Sequence, residues 1–131
     1  MLSWTVKNAR TGETTNGLGA DPTSYLHYLP DGRMMVFVLH RERKAPSGLV
    51  PTVEEKLALY DSMLAYAGTY VFEGDKVIHR LDMSWNQVLT GSEQIRFCQL
   101  DGKRLKLTSP VSKNPLDGED VVHTIIFEKI D

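Results

Sequence analysis

Three glycine turns constrain this chain more than any other feature. Asp31-Gly32, Gly74-Asp75 and Asp101-Gly102 each stand between two runs rich in Val, Ile, Phe, Tyr, Met or Leu. Glycine accepts the positive φ that a tight hairpin turn demands, so each site predicts a β-hairpin. The paired runs are 24–29 with 33–40, 66–72 with 76–84, and 92–100 with 104–108. Runs at 3–9 and 122–129 bring the expected strands to eight. In an up-and-down sheet, successive connections alternate between the two ends. The tight turns occupy connections two, four and six and share one end, whereas the long connections 10–23, 41–65, 85–91 and 109–121 share the other. The expected architecture is therefore all-β: an eight-stranded antiparallel up-and-down barrel with one loose end, able to enclose one small ligand.

One stretch departs from strand patterning. Thr52-Val53-Glu54-Glu55 has the form of a capping box, and Val53, Leu57, Tyr60 and Leu64 follow at helical spacing. This predicts one α-helix over 53–64, between the third and fourth strands and across the loose end of the barrel.

Composition closes other routes. The 131 residues suit a single domain spanning 1–131, and 15 Lys and Arg against 17 Asp and Glu leave a formal charge of -2. No nucleic-acid partner is expected from that balance. The single cysteine, Cys98, excludes an intramolecular disulfide. No apolar run reaches the roughly eighteen residues of a spanning helix, and no signal-peptide core follows Met1, so no membrane partner and a cytoplasmic location are expected. The four histidines are scattered without metal-ligand spacing, and neither a phosphate loop nor a nucleophile elbow occurs, so neither metal nor cofactor is expected.

Five motifs stand in order: Tyr25-Leu26-His27-Tyr28-Leu29-Pro30-Asp31-Gly32-Arg33-Met34, Tyr66-Ala67-Gly68-Thr69-Tyr70, Val77-Ile78-His79, Gly91-Ser92-Glu93-Gln94-Ile95-Arg96, and Asp101-Gly102-Lys103-Arg104-Leu105-Lys106-Leu107. Together they are similar to those of the lipocalin-like domain family of small bacterial and fungal proteins. The resemblance runs from Trp4 to Lys129 and implies a calycin-type barrel. The chain departs from the family where Ser24 replaces a usual Gly, and where Trp85-Asn86-Gln87 replaces Pro-Asn-Trp. Most members are uncharacterised, so the resemblance implies a fold and little about function.

Alternation along the strands selects the candidate site. Val77, His79, Leu81 and Met83 share the more apolar face of their strand and are expected to point inward. An interior imidazole needs hydrogen-bond partners, and could orient a ligand, act as an acid/base or simply pack. Gln94, Arg96, Cys98 and Leu100 share a face whose direction the pattern leaves open. Pointing inward, Arg96 would need a carboxylate, water or an anionic ligand. Tyr25, Tyr66 and Tyr70 suit a pocket wall with polar tips, and Trp85 opens a loop at the loose end.

The expected function is binding of a small, largely apolar or amphipathic molecule inside the barrel. Tyr25, Tyr66, Tyr70, His79, Trp85, Gln94 and Arg96 are its candidate ligand-binding residues. The alternative is a small cyclase, isomerase or hydratase of secondary metabolism, with His79 as acid/base and Arg96 or Tyr66 stabilising an enolate. Apolar residues on both faces of 33–40 and 66–72 suggest an outer wall covered by the helix or by a second subunit, hence a possible homodimer.

Overall fold

The computed structural model describes residues 1–114 and 117–130. The described residues form ten strands, one α-helix and one short 3-10 turn. The strands are β1 (Ser3–Asn8), β2 (Thr14–Asn16), β3 (Thr23–Tyr28), β4 (Arg33–Leu39), β5 (Met63–Glu73), β6 (Lys76–Ser84), β7 (Glu93–Asp101), β8 (Arg104–Thr108), β9 (Ser112–Lys113) and β10 (Asp120–Glu128). Helix α1 (Val53–Asp61) joins β4 to β5, and the 3-10 turn (Gln87–Leu89) lies between β6 and β7. All eight expected strands are present. The additional two, β2 and β9, are short pieces within two of the long connections, where no strand was expected.

Every pairing is antiparallel, in the order β2-β1-β10-β8-β7-β6-β5-β4-β3, with β9 added to β10. The first and last long strands pair as a barrel requires, with Trp4 opposite Ile125 and Val6 opposite His123. The expected full closure is not met. Directly after β1 the chain turns back and lays β2 on the free edge of β1, with Val6 opposite Thr15. That edge is the one β3 would have used, so β3 remains an edge strand and the sheet is a curled, open half-barrel. Residues 17–22 cross the seam instead. Gly17 and Gly19 lie against the Trp4 and His40 rings, where a Cβ would collide, Leu18 packs on the core, and Arg41 clasps Asp21 at 2.9 Å.

The tight turns form as expected, with φ of 89° at Gly32, 63° at Gly74 and 60° at Gly102. Between β5 and β6, however, the register slips next to Gly68: Gly68 pairs with Leu81, yet Ala67 pairs with Met83. The extra residue, Asp82, makes a β-bulge and reverses alternation beyond it. Val77, His79 and Leu81 point inward as expected, whereas Met83 points outward and is exposed.

The helix begins as its sequence dictates. The Thr52 hydroxyl accepts from the Glu55 amide at 3.2 Å, and the Glu55 carboxylate accepts from the Thr52 amide at 2.9 Å. It ends at Asp61, earlier than expected, because Leu64 pairs with Val38 as part of β5. With no basic residue in its last turn, the carbonyl of Leu59 is met by Arg43 at 3.1 Å. No helix residue is buried, so the Val53, Leu57 and Tyr60 stripe is not seated on the sheet as expected. The core lies inside the curl, where Met34, Val36 and Val38 of β4 meet Val77, Leu107 and Phe127.

Candidate functional site

Strand register decides which side chains share the interior. His79 stands between Tyr70 of β5 and Gln94 of β7, and Val77 stands beside Arg96. Because Val77 and His79 are buried at 0% and 2% exposure, their partners Gln94 and Arg96 share the inward face. That settles the direction left open by alternation: Arg96 points into the curl, and Cys98 packs against the core.

His79 is the centre of a polar cluster within an apolar wall. The Tyr28 hydroxyl lies 2.6 Å from its Nε2 and the Tyr66 hydroxyl 2.8 Å from its Nδ1. Tyr70 is committed elsewhere, donating to the Leu29 carbonyl at 2.8 Å, while its ring meets Tyr28 edge-on at 4.7 Å. Burial first, and then the Arg96 guanidinium, push the His79 imidazole down to about 4. The same causes, in the same order, bring His123 down to about 4. His123, on β10, accepts from Trp4 Nε1 at 3.1 Å. Burial raises both tyrosine hydroxyls above their ordinary range. At neutral pH the cluster is uncharged apart from Arg96.

A neutral imidazole has one N–H and one lone-pair nitrogen. One of Tyr28 and Tyr66 therefore donates to His79, and the other accepts from it. The accepting tyrosine keeps its own proton free, whichever tautomer His79 adopts. Arg96 donates to the Ile95 carbonyl at 2.8 Å, and no other partner of its guanidinium is found among the described residues. No inward position of the long strands carries Asp or Glu; Glu93 lies outside, paired with Arg80 at 3.1 Å. Ser24, paired with the buried Val38 on the inward side of β3, has an Oγ sealed from solvent and without a partner among the described residues.

The lipocalin-like domain family model matches residues 1–130. The chain belongs to the lipocalin-like domain family. No curated protein matches it in sequence. A lipocalin-like wall is a ligand-binding barrel fold, and here the converging polar groups sit on its inner face.

The structure brings together Tyr66, His79, Gln94 and Arg96 of the expected residues, with Tyr70 beside them. Tyr25 and Trp85 lie outside that cluster and line, together with Tyr66, an outer groove of 620 Å³ whose floor is Ala65 and Ala67 and whose walls include Met35, Phe37 and Met83. Asn86 caps the 3-10 turn through Val88 N at 3.2 Å. Sequence reading passed over Tyr28, Trp4 and His123. The signal for Tyr28 was available: it falls opposite Met34, in phase with Val36 and Val38, in a hairpin whose turn fixes the register. Among the described residues, no three His, Cys, Asp or Glu side chains gather as metal ligands.

Proposed function

We propose that the chain binds a small, largely apolar molecule on the inner face of the curled sheet, with the Tyr28–His79–Tyr66 cluster and Arg96 as its polar anchor. The observation that carries this reading is convergence. Hydrogen-bonding groups from β3, β5, β6 and β7 meet at one place inside a wall of Met, Val, Leu and Phe, an arrangement suited to orienting an apolar ligand. Several inward residues around them, including Tyr66, Arg96 and Ile125, remain partly accessible, which is consistent with space to occupy. The outer groove has no charged anchor in its lining and lies open to solvent. Native mass spectrometry of freshly purified protein, backed by binding of an apolar fluorescent probe, tests the reading. A retained ligand or a saturable fluorescence change weakened by Tyr66→Phe supports it; neither signal defeats it.

The enzymatic alternative has less support. An acid/base at neutral pH needs a pKa near 7 and a free nitrogen, whereas both His79 nitrogens face tyrosine hydroxyls and its pKa is about 4.

The outer groove supports a homodimer. Tyr25, Met35, Phe37 and Met83 are 61%, 50%, 49% and 64% exposed on adjacent strands. Leu57 and Tyr60 continue this apolar surface, Tyr60 through its ring contact with Trp85 at 6.4 Å. Six half-exposed side chains of roughly 200 Å² each offer about 600 Å², close to the ~800 Å² per partner of a standard interface. A second copy offers the same surface, as a two-fold pairing requires. This reading places the protein in the cytoplasm, where a free Cys98 is at home.

A further inference from the structure

The interior is electrostatically one-sided. Arg96 is held on the inward face by its register with Val77. On that face it stands two residues from Gln94, the cross-strand partner of His79, and its positive charge bears on tyrosines of β3 and β5 and histidines of β6 and β10. Apart from Nη1 bonded to the Ile95 carbonyl, its N–H groups find no partner among the described residues. A buried or half-buried cation is ordinarily matched by a carboxylate, and no inward strand position supplies one.

The uncharged cluster has the same bias. Of the two tyrosines on His79, one must retain an uncommitted O–H, because the neutral ring can accept only once. Beside His79, two strong donors are left over: a guanidinium fork and a phenol proton. Such a pair matches two acceptor oxygens with a negative charge to share, and a guanidinium fork matches a carboxylate in particular. It discriminates against an ammonium head group, which brings only donors and a like charge.

We propose that the molecule bound inside is an amphipathic monocarboxylate, with its head group on Arg96 and the free hydroxyl of the Tyr28–Tyr66 pair, and its apolar body along the partly accessible inward residues Leu105 and Ile125. This rests on the interior-binding reading above and narrows it to a class of ligand. No acidic side chain has to move to admit the head group.

The test compares cis-parinaric acid with its methyl ester, the same fluorescent chain with and without a charge. The acid is expected to bind at least about tenfold tighter than the ester, and Arg96→Met to abolish that preference by weakening the acid far more than the ester. Equal affinity of acid and ester for the unaltered protein overturns the carboxylate inference and leaves interior binding standing. Failure of both probes overturns interior binding itself. A preference that persists in Arg96→Met overturns the assignment to Arg96. Should Arg96→Met not fold, nitrogen NMR of the Arg96 side chain in the unaltered protein decides the point. Its Nε–H resonance shifts with the acid and not with the ester if the inference holds, and shifts equally with both or with neither if it does not.

Discussion

The Gly68 backbone lies so close to the carbonyl of Arg80 that a Cβ on residue 68 would overlap it. The contact sits at the register slip that turns Met83 outward, so the absent side chain at Gly68 permits the bulge. Gly68→Ala is expected to destabilise the fold by about 1–3 kcal/mol, as overpacking does. Urea unfolding measures it, and an unchanged midpoint would show that β5 and β6 have other ways to pair.

The Tyr28–His79–Tyr66 cluster is satisfied only as a unit. Removing either hydroxyl leaves a His79 nitrogen unpartnered in a buried site, at a cost of about 1–3 kcal/mol. Tyr28→Phe and Tyr66→Phe are each expected to cost this much. The double variant should depart from the sum, because both bonds share one ring. Strict additivity in a double-mutant cycle would refute the coupling.

Two buried imidazoles make stability depend on pH in a defined direction. An unfolded imidazole takes its proton near 6.5, whereas His79 and His123 in the fold do so only near 4. Between these values the unfolded chain binds more protons, so stability rises with pH through the window. It is fully present above the unfolded value and is lost as pH falls from about 6.5 to 4. For the buried His79 the effect is on the order of 3 kcal/mol at most. NMR titration checks it directly: both rings should remain neutral at pH 5, and protonation of either near its ordinary value would contradict the placement.

Cys98 reports on the inner wall. Burial pushes its thiol up, with Asp75 adding to the effect, so little thiolate is present at neutral pH. Reaction with a disulfide reagent is expected to be markedly slower than for a small free thiol, and slower again with cis-parinaric acid bound. Reaction at the small-thiol rate would place Cys98 outside the wall.

The outer face gives a test of assembly. Phe37→Glu or Met83→Glu puts a charge on an already exposed position and should leave the fold intact. Sedimentation velocity is expected to show a dimer for the unaltered protein and a monomer for either variant. A monomeric unaltered protein at micromolar concentration removes the dimer.

What could be read from the sequence was what short stretches decide alone. Gly32, Gly74 and Gly102 announce their turns because positive φ is a property of one residue. The Thr52–Glu55 capping box is likewise local. His79 was legible as an inward residue because β6 keeps strict alternation up to Leu81. Met83 was not, since its direction depends on a slip set by Gly68 on the neighbouring strand. The open seam was hidden for a similar reason: Thr14–Asn16 carries no strand signature, yet its pairing with β1 displaces β3. Arg96 illustrates the boundary between the two cases. Its own strand alternates ambiguously, and only its position beside Val77 fixes its direction.

The absent ladder between β2 and β3 makes the molecule a C-clamp rather than a hoop. Parting any other neighbouring strands would break a row of backbone hydrogen bonds. Here the jaws are held by the packing of Leu18 and by the Arg41–Asp21 clasp, an exposed pair of little strength in water. The wall can spread along this line with every rung intact. Opening along it takes the lifting of residues 17–22 and not the unzipping of a strand.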